Sequence, residues 1–187
     1  MRTLSLLSAS ALILLTASAF AAGSGGSGNN GSTTGSSVGN GGSSPASHHC
    51  KKPEVWDDKT QKCLKSTGSL LPDEQLFQQG RALAKDGEYD WALTVLAQVK
   101  DQKDPRVLTY IGYSNRKAGR LDIGIGYYQQ ALAIDPNFVT AREYLGEGYM
   151  KAGKVDLAKA ELSQIAQRCG TQCEEYKDLA EAIGSSN

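Results

Sequence analysis

Three glycines stand in register along the second half of the chain, and other residues keep step with them. Gly80, Gly112 and Gly146 are 32 and then 34 residues apart. Seven positions after each stand Gly87, Gly119 and Gly153, and three further on stand Asp90, Asp122 and Asp156. The small residues Ala92, Gly124 and Ala158 come next. Leu96, Tyr128 and Leu162 follow, then Val99, Ala131 and Ile165. A period of this length belongs to stacked helical hairpins, each of which buries an apolar face against its neighbour.

Each column has a physical reading. A glycine inside a helix costs about 1 kcal/mol against alanine, so three in register imply close helix approach. Ala92, Gly124 and Ala158 are expected to face them from the second helix of each hairpin. Gly87, Gly119 and Gly153 fall where the first helix must end, in a left-handed turn that glycine adopts without strain. Asp90, Asp122 and Asp156 fall at the start of the second helix, where a carboxylate meets the positive end of the dipole. Leu96, Tyr128 and Leu162 are expected to be core residues plugging against the next hairpin.

These columns resemble the tetratricopeptide repeat (TPR). The fullest unit runs from Pro105 to Pro136, with Leu108, Ile111, Gly112, Gly119, Gly124, Tyr128 and Ala131 on the pattern. The third unit matches through Leu145, Gly146, Tyr149, Gly153, Ala158 and Leu162, and the first through Leu76, Gly80, Leu83, Gly87, Ala92 and Leu96. Three residues depart from it. Asn115 replaces an aromatic, and Gln79 and Arg142 occupy positions usually apolar. The resemblance implies an all-α fold of three hairpins, at about 72–104, 105–138 and 139–170, in a short right-handed superhelix. It also implies a concave groove, lined by the first helix of each pair, that binds a peptide or helix of a partner protein. The positions that would face it are Phe77, Arg81 and Lys85, then Thr109, Tyr113 and Arg116, then Glu143, Glu147 and Met150. Phe77 and Thr109 break the set of cations with which some TPR domains grip a C-terminal carboxylate. What remains is a groove with cations at one end and Glu143 and Glu147 at the other, suited to a partner of mixed charge, with Phe77 and Tyr113 as apolar anchors.

Residues 169–187 read as a capping helix and tail. Thr171 and Glu174 have the spacing of a capping box. Tyr176, Leu179, Ala180 and Ile183 share one face, which would cover the open end of the array. Cys169 and Cys173 sit at the corner before that helix and are expected to form a disulfide staple.

The N-terminal part is different in kind. Leu4 to Leu15 form an apolar run after Arg2, and Ala19-Phe20-Ala21 fits a small-x-small cleavage site, so 1–21 read as a secretory signal. The run is too short to span a membrane, which takes about 20 apolar residues. Residues 22–47 read as a Gly/Ser-rich flexible linker; between Gly23 and Ser44 only Val38 is apolar. Such a segment buries too little to offset about 1–2 kcal/mol of backbone ordering per residue. Residues 48–68 form a polar Cys loop, in which Cys50 and Cys63 are expected to pair and Trp56 to pack inside the loop or dock on the first helix. Closing a loop of that size stabilises by about 3 kcal/mol in the chain-entropy picture.

Charge and inventory narrow the function. The 187 residues carry 20 Lys and Arg against 20 Asp and Glu, which argues against a nucleic-acid partner. His48 and His49 are the only histidines, so no Ser-His-Asp or Cys-His site is available in the repeats. There is no phosphate loop and no metalloprotease motif. The sequence reads as an exported, non-enzymatic interaction module of the periplasm or the cell exterior. It calls for no cofactor or metal, has no transmembrane segment once the leader is removed, and takes another envelope protein as partner. Two alternatives stand beside this reading. One is thiol-redox or metal handling through Cys169 and Cys173 or through His48, His49 and Cys50. The other is cell-wall or carbohydrate binding through Trp56.

Overall fold

The structure is a computed structural model, and it describes residues 50–67 and 71–185. The expected leader, the linker, His48 and His49 lie outside the described residues. The elements are a hairpin of β1 (Glu54–Asp57) and β2 (Lys62–Lys65), then α1 (Asp73–Lys85), α2 (Tyr89–Leu96), α3 (Pro105–Lys117), α4 (Leu121–Ile134), α5 (Val139–Lys151), α6 (Val155–Cys169) and α7 (Glu174–Gly184). Helices α1 and α2, α3 and α4, and α5 and α6 pair as hairpins. Each first helix also packs on the first helix of the next pair, and α7 completes that layer against α5. Among the described residues no helix is long and apolar enough to cross a membrane.

The turns follow the glycine column. Gly87, Gly119 and Gly153 have φ of +85°, +88° and +72°, the left-handed conformation that ends each first helix. Asp90, Asp122 and Asp156 lie in the first turns of α2, α4 and α6. Asp104 caps α3 by accepting from the Arg106 N–H at 2.8 Å, with Pro105 opening the helix.

The helical glycines do mark close approaches, but to different neighbours than expected. A methyl group on Gly80 would lie 2.6 Å from Leu96 Cδ2, and one on Gly112 would lie 2.7 Å from Tyr128 Cε1. Of the small column, only Gly124 presses on a glycine, its carbonyl 3.0 Å from a methyl on Gly112. Gly146 breaks the series: its would-be methyl meets Leu179 Cδ2 of α7 at 2.5 Å. Leu162 is therefore only half-buried, while Leu179 is fully enclosed. Leu96 and Tyr128 thus seat against the glycine of their own hairpin rather than the next one as expected, and at Gly146 Leu179 of the capping helix takes that place.

Two local expectations are corrected. The segment read as a polar loop is an antiparallel β-hairpin in which Trp56 pairs with Cys63 and Val55 with Leu64. Its turn is set by Asp57, which accepts from the Lys59 N–H at 3.0 Å and from Thr60 Oγ1 at 2.6 Å, and by Gln61 at φ 54°. The Cys50–Cys63 disulfide, with Cα atoms 5.6 Å apart, ties its ends, and Val55 enters the main core at 1 % exposure. The capping box does not form either. Helix α7 begins at Glu174 with Cys173 as its N-cap and no side-chain cap bond. Cys173 is bound to Cys169, the last residue of α6, and this covalent corner places the helix start after Thr171.

Candidate functional site

The layer of α1, α3, α5 and α7 encloses a cavity of about 340 Å³. Its floor is aromatic. Phe77 of α1 meets Tyr110 of α3 edge-on at 5.8 Å between centroids, and Tyr110 meets Tyr144 of α5 edge-on at 6.3 Å. Tyr113 backs Tyr144 at 5.0 Å. Tyr110 and Tyr144 each stand two residues before a helical glycine, Gly112 and Gly146.

Cations line one side. The Arg106 guanidinium lies 4.7 Å over Phe77. Arg81 Nε donates to Tyr110 Oη at 2.9 Å, and Lys85 Nζ donates to Tyr144 Oη at 2.6 Å while sitting 5.0 Å over the Tyr113 ring. Arg106 is already matched by Asp104 and Glu74. The hydrogen bond from Gln78, with Arg106 beside it, holds the Glu74 carboxyl below its usual range.

Carboxylates line the other side. Glu143 comes from α5, and Glu174, Glu175 and Asp178 from α7. Thr140 Oγ1 donates to Glu175 at 3.1 Å. Glu143 is 6 % exposed. Among the described residues no cation stands within salt-bridge distance of it. Burial pushes its carboxyl up to about 8, and the neighbouring charges of Glu147, Asp178 and Glu175 add to the rise against the opposing pull of Lys85.

The nine residues expected at the groove divide. Phe77, Arg81, Lys85 and Glu143 line the cavity. Tyr113 lies beneath Lys85, behind the floor. Thr109 is fully buried and donates to the Pro105 carbonyl of its own helix at 2.7 Å. Arg116, 5 % exposed, pairs with Glu147 and donates from Nε to Tyr128 Oη at 3.1 Å. Both of these expected charges are thus joined to each other behind the floor. Met150 packs with the core of α6 and α7. Tyr110, Tyr144, Arg106 and the α7 carboxylates complete the site without having been singled out in the sequence. A signal for the tyrosines was present, since they repeat at the glycine spacing.

The cysteines form two disulfides, and no free cysteine remains. Cys169, Cys173 and Glu175 bring their donor atoms within 4.8 Å of one another, but both sulfurs are spent in the bond between them. The Trp56 ring is half-buried, and the backbone of Trp56 is docked on α1.

No family model matches the sequence, and no curated protein matches it. Solved structures do match its fold. The first TPR of Spaghetti (RPAP3), bound to the HSP90 peptide SRMEEVD, superposes with a TM-score of 0.53 at 16 % identity, covering 61 % of this chain and 91 % of that one. The Yersinia enterocolitica type III secretion chaperone SycD, in complex with a peptide of the translocator YopD, gives 0.51 at 23 % identity over 60 % and 86 %. MamA gives 0.51 at 20 % identity over 61 % and 68 %. The chain has the tetratricopeptide-repeat fold: three hairpins and a closing helix around a concave cavity.

Proposed function

We propose that this chain is an exported, non-enzymatic TPR module that holds a peptide or helix of another envelope protein in the groove between α1, α3, α5 and α7. The cavity carries this reading: an aromatic floor between a cationic and an acidic wall, open to a segment of mixed charge. Aromatic and arginine side chains are the residues that dominate interface energies. RPAP3 and SycD, which share the fold, are both seen with peptides bound. The apolar run at Leu4–Leu15 and the Ala19–Ala21 site support export to the periplasm or cell exterior of a bacterium.

The test is capture of partners from envelope extract on the wild-type protein and on an Arg81→Glu/Asp178→Lys variant. Both substituted positions are exposed and line the cavity, and circular dichroism checks that the variant folds without the Arg81–Tyr110 bond. A protein retained by the wild type and lost by the variant is expected. Equal retention by both overturns the groove reading. N-terminal sequencing of the protein from the envelope fraction is expected to begin just after Ala21, and an uncut chain in the cytosol overturns export.

A further inference from the structure

The two walls of the groove are not equally satisfied. On the cationic wall, Arg106 is neutralised by Asp104 and Glu74, and Arg81 and Lys85 each donate to a tyrosine hydroxyl. On the acidic wall, Thr140 donates to Glu175, and Glu143, Glu174 and Asp178 accept no side-chain donor among the described residues. The most deeply placed of them, Glu143, is more than nine-tenths buried, lines the cavity, and has no hydrogen-bond or ion-pair partner among the described residues. Its stem is buried, and its carboxylate oxygens open onto the cavity, where a cation can pair with them. Lys85 faces it without forming a salt bridge to it, and its ammonium donates to Tyr144.

We propose that the acidic wall is a subsite for one basic side chain, a lysine or arginine, of the bound partner segment. The cationic head would reach Glu143, with Asp178 and Glu175 around it, and the alkyl stem would lie in the cavity beside them. The chemistry is opposite to recognition of a terminal carboxylate. Burial and the neighbouring carboxylates raise the Glu143 pKa, so a cation seated beside it would favour its charged form. This subsite rests on the groove reading above and gives it a specificity.

A random peptide library displayed on phage is panned against the full chain and, in parallel, against Glu143→Gln. The wild type is expected to enrich peptides that share a lysine or arginine at one position. Replacing that residue by norleucine, which keeps the stem and removes the charge, should weaken binding about tenfold, the value of one charge-assisted contact. Against Glu143→Gln the same peptides should lose that preference, with the lysine and norleucine forms binding alike. Asp178→Asn is the second variant, at an exposed position with no packing role, and it should weaken only the basic peptide. Enriched peptides with no shared basic residue, or an unchanged preference in Glu143→Gln, overturn the subsite and leave the groove reading standing. If no peptide enriches, the groove reading falls and the subsite falls with it.

Discussion

Gln79 holds both backbone groups of Trp56. The Trp56 N–H donates to Gln79 Oε1 at 2.7 Å, and Gln79 Nε2 donates back to the Trp56 carbonyl at 2.7 Å. Gln75 Nε2 adds a second donor to that carbonyl at 2.9 Å, and Trp91 Nε1 donates to the Glu54 carbonyl at 3.1 Å. A helix side chain thus stands in for a third strand along β1. The polar residue at a usually apolar repeat position is the device that docks the N-terminal hairpin.

Replacing Gln79 by leucine removes the clamp and leaves the part-buried Trp56 N–H without its Gln79 acceptor, while the Trp56 carbonyl keeps Gln75 Nε2. A loss of about 1–3 kcal/mol is expected, from the cost of leaving a buried donor or acceptor unpaired. Denaturant unfolding measures the loss. Hydrogen exchange at the Trp56 amide should accelerate far more than exchange within α3, because the Cys50–Cys63 bond keeps the hairpin closed but not docked.

The pair Arg116–Glu147 is built behind the aromatic floor. Arg116 also donates to Tyr128 Oη, and its guanidinium lies 5.7 Å over Tyr113 and 5.8 Å over Tyr144. Its charge is stabilised further by Tyr128 and Glu147, which raises its already high pKa against the cost of burial. Arg116→Met fills the volume but strands Glu147 and the tyrosine hydroxyl. Breaking one side of a buried pair costs about 3–5 kcal/mol, and the partial exposure of Glu147 puts this case at the lower end. The midpoint of urea unfolding checks it. A double Arg116→Met/Glu147→Gln variant should recover part of the loss.

Two glycines of one hairpin should respond oppositely to alanine. A methyl on Gly112 would stand 2.7 Å from Tyr128 Cε1 and 3.0 Å from the Gly124 carbonyl. Tyr128 is fully buried and cannot swing aside, so Gly112→Ala should destabilise by about 1–3 kcal/mol through overpacking. Gly126, inside α4, has nothing within 4 Å of the same methyl. Gly126→Ala should stabilise by about 1 kcal/mol through helix propensity. Thermal unfolding of the two variants reads both signs.

The repeat was legible because close packing leaves its mark at fixed intervals. Gly80 and Gly112, the turn glycines and the helix-start aspartates all report contacts within one hairpin, which a period can show. Contacts that join distant segments left no such mark. Gln79 meets Trp56 across 23 residues, and Arg142, the other polar residue at an apolar position, meets Glu161 at 2.8 Å and the Pro136 carbonyl at 2.7 Å. Asn115 likewise accepts from Arg120 Nε at 2.7 Å, and Arg120 reaches Asp90 of the preceding hairpin at 3.2 Å. Gln79 reaches a segment outside the repeats, Arg142 joins the two helices of its own hairpin, and Asn115 anchors Arg120, so each departure is a polar link rather than an apolar contact. The β-hairpin escaped because its strands have four residues each and half of those residues are charged. The acidic wall escaped because α7 was read for its apolar face, and Glu174, Glu175 and Asp178 matter only once that face is docked on α5.

Glu143 gives the fold a pH dependence of unusual sign for a carboxylate. Its folded value, about 8, lies above its ordinary 4.5, so the native state holds one extra proton between the two. Stability from this group is full below the lower value and falls as pH rises toward the higher, at no more than about 1.4 kcal/mol per unit. Asp57, Glu74 and Asp104 act in the opposite sense: their carboxyls sit below the usual range, and their contributions are lost only as pH falls into strong acid. Among the described residues, which include no histidine, Glu143 is the carboxyl whose raised pKa spans the range from about pH 5 to pH 8. The charged groups facing it are Lys85 from α1, Glu147 from its own helix, and Glu175 and Asp178 from α7. The unfolding temperature of the wild type should therefore decline across that range, and Glu143→Gln should flatten the decline and be the more stable form at its alkaline end. An equal decline in both would assign the slope to another group. A basic peptide seated beside Glu143 reverses the linkage, because the bound cation favours the carboxylate and expels the proton. Its affinity should rise over the same range in which the empty protein loses stability, and titration calorimetry in buffers of different ionisation enthalpy would count the proton released.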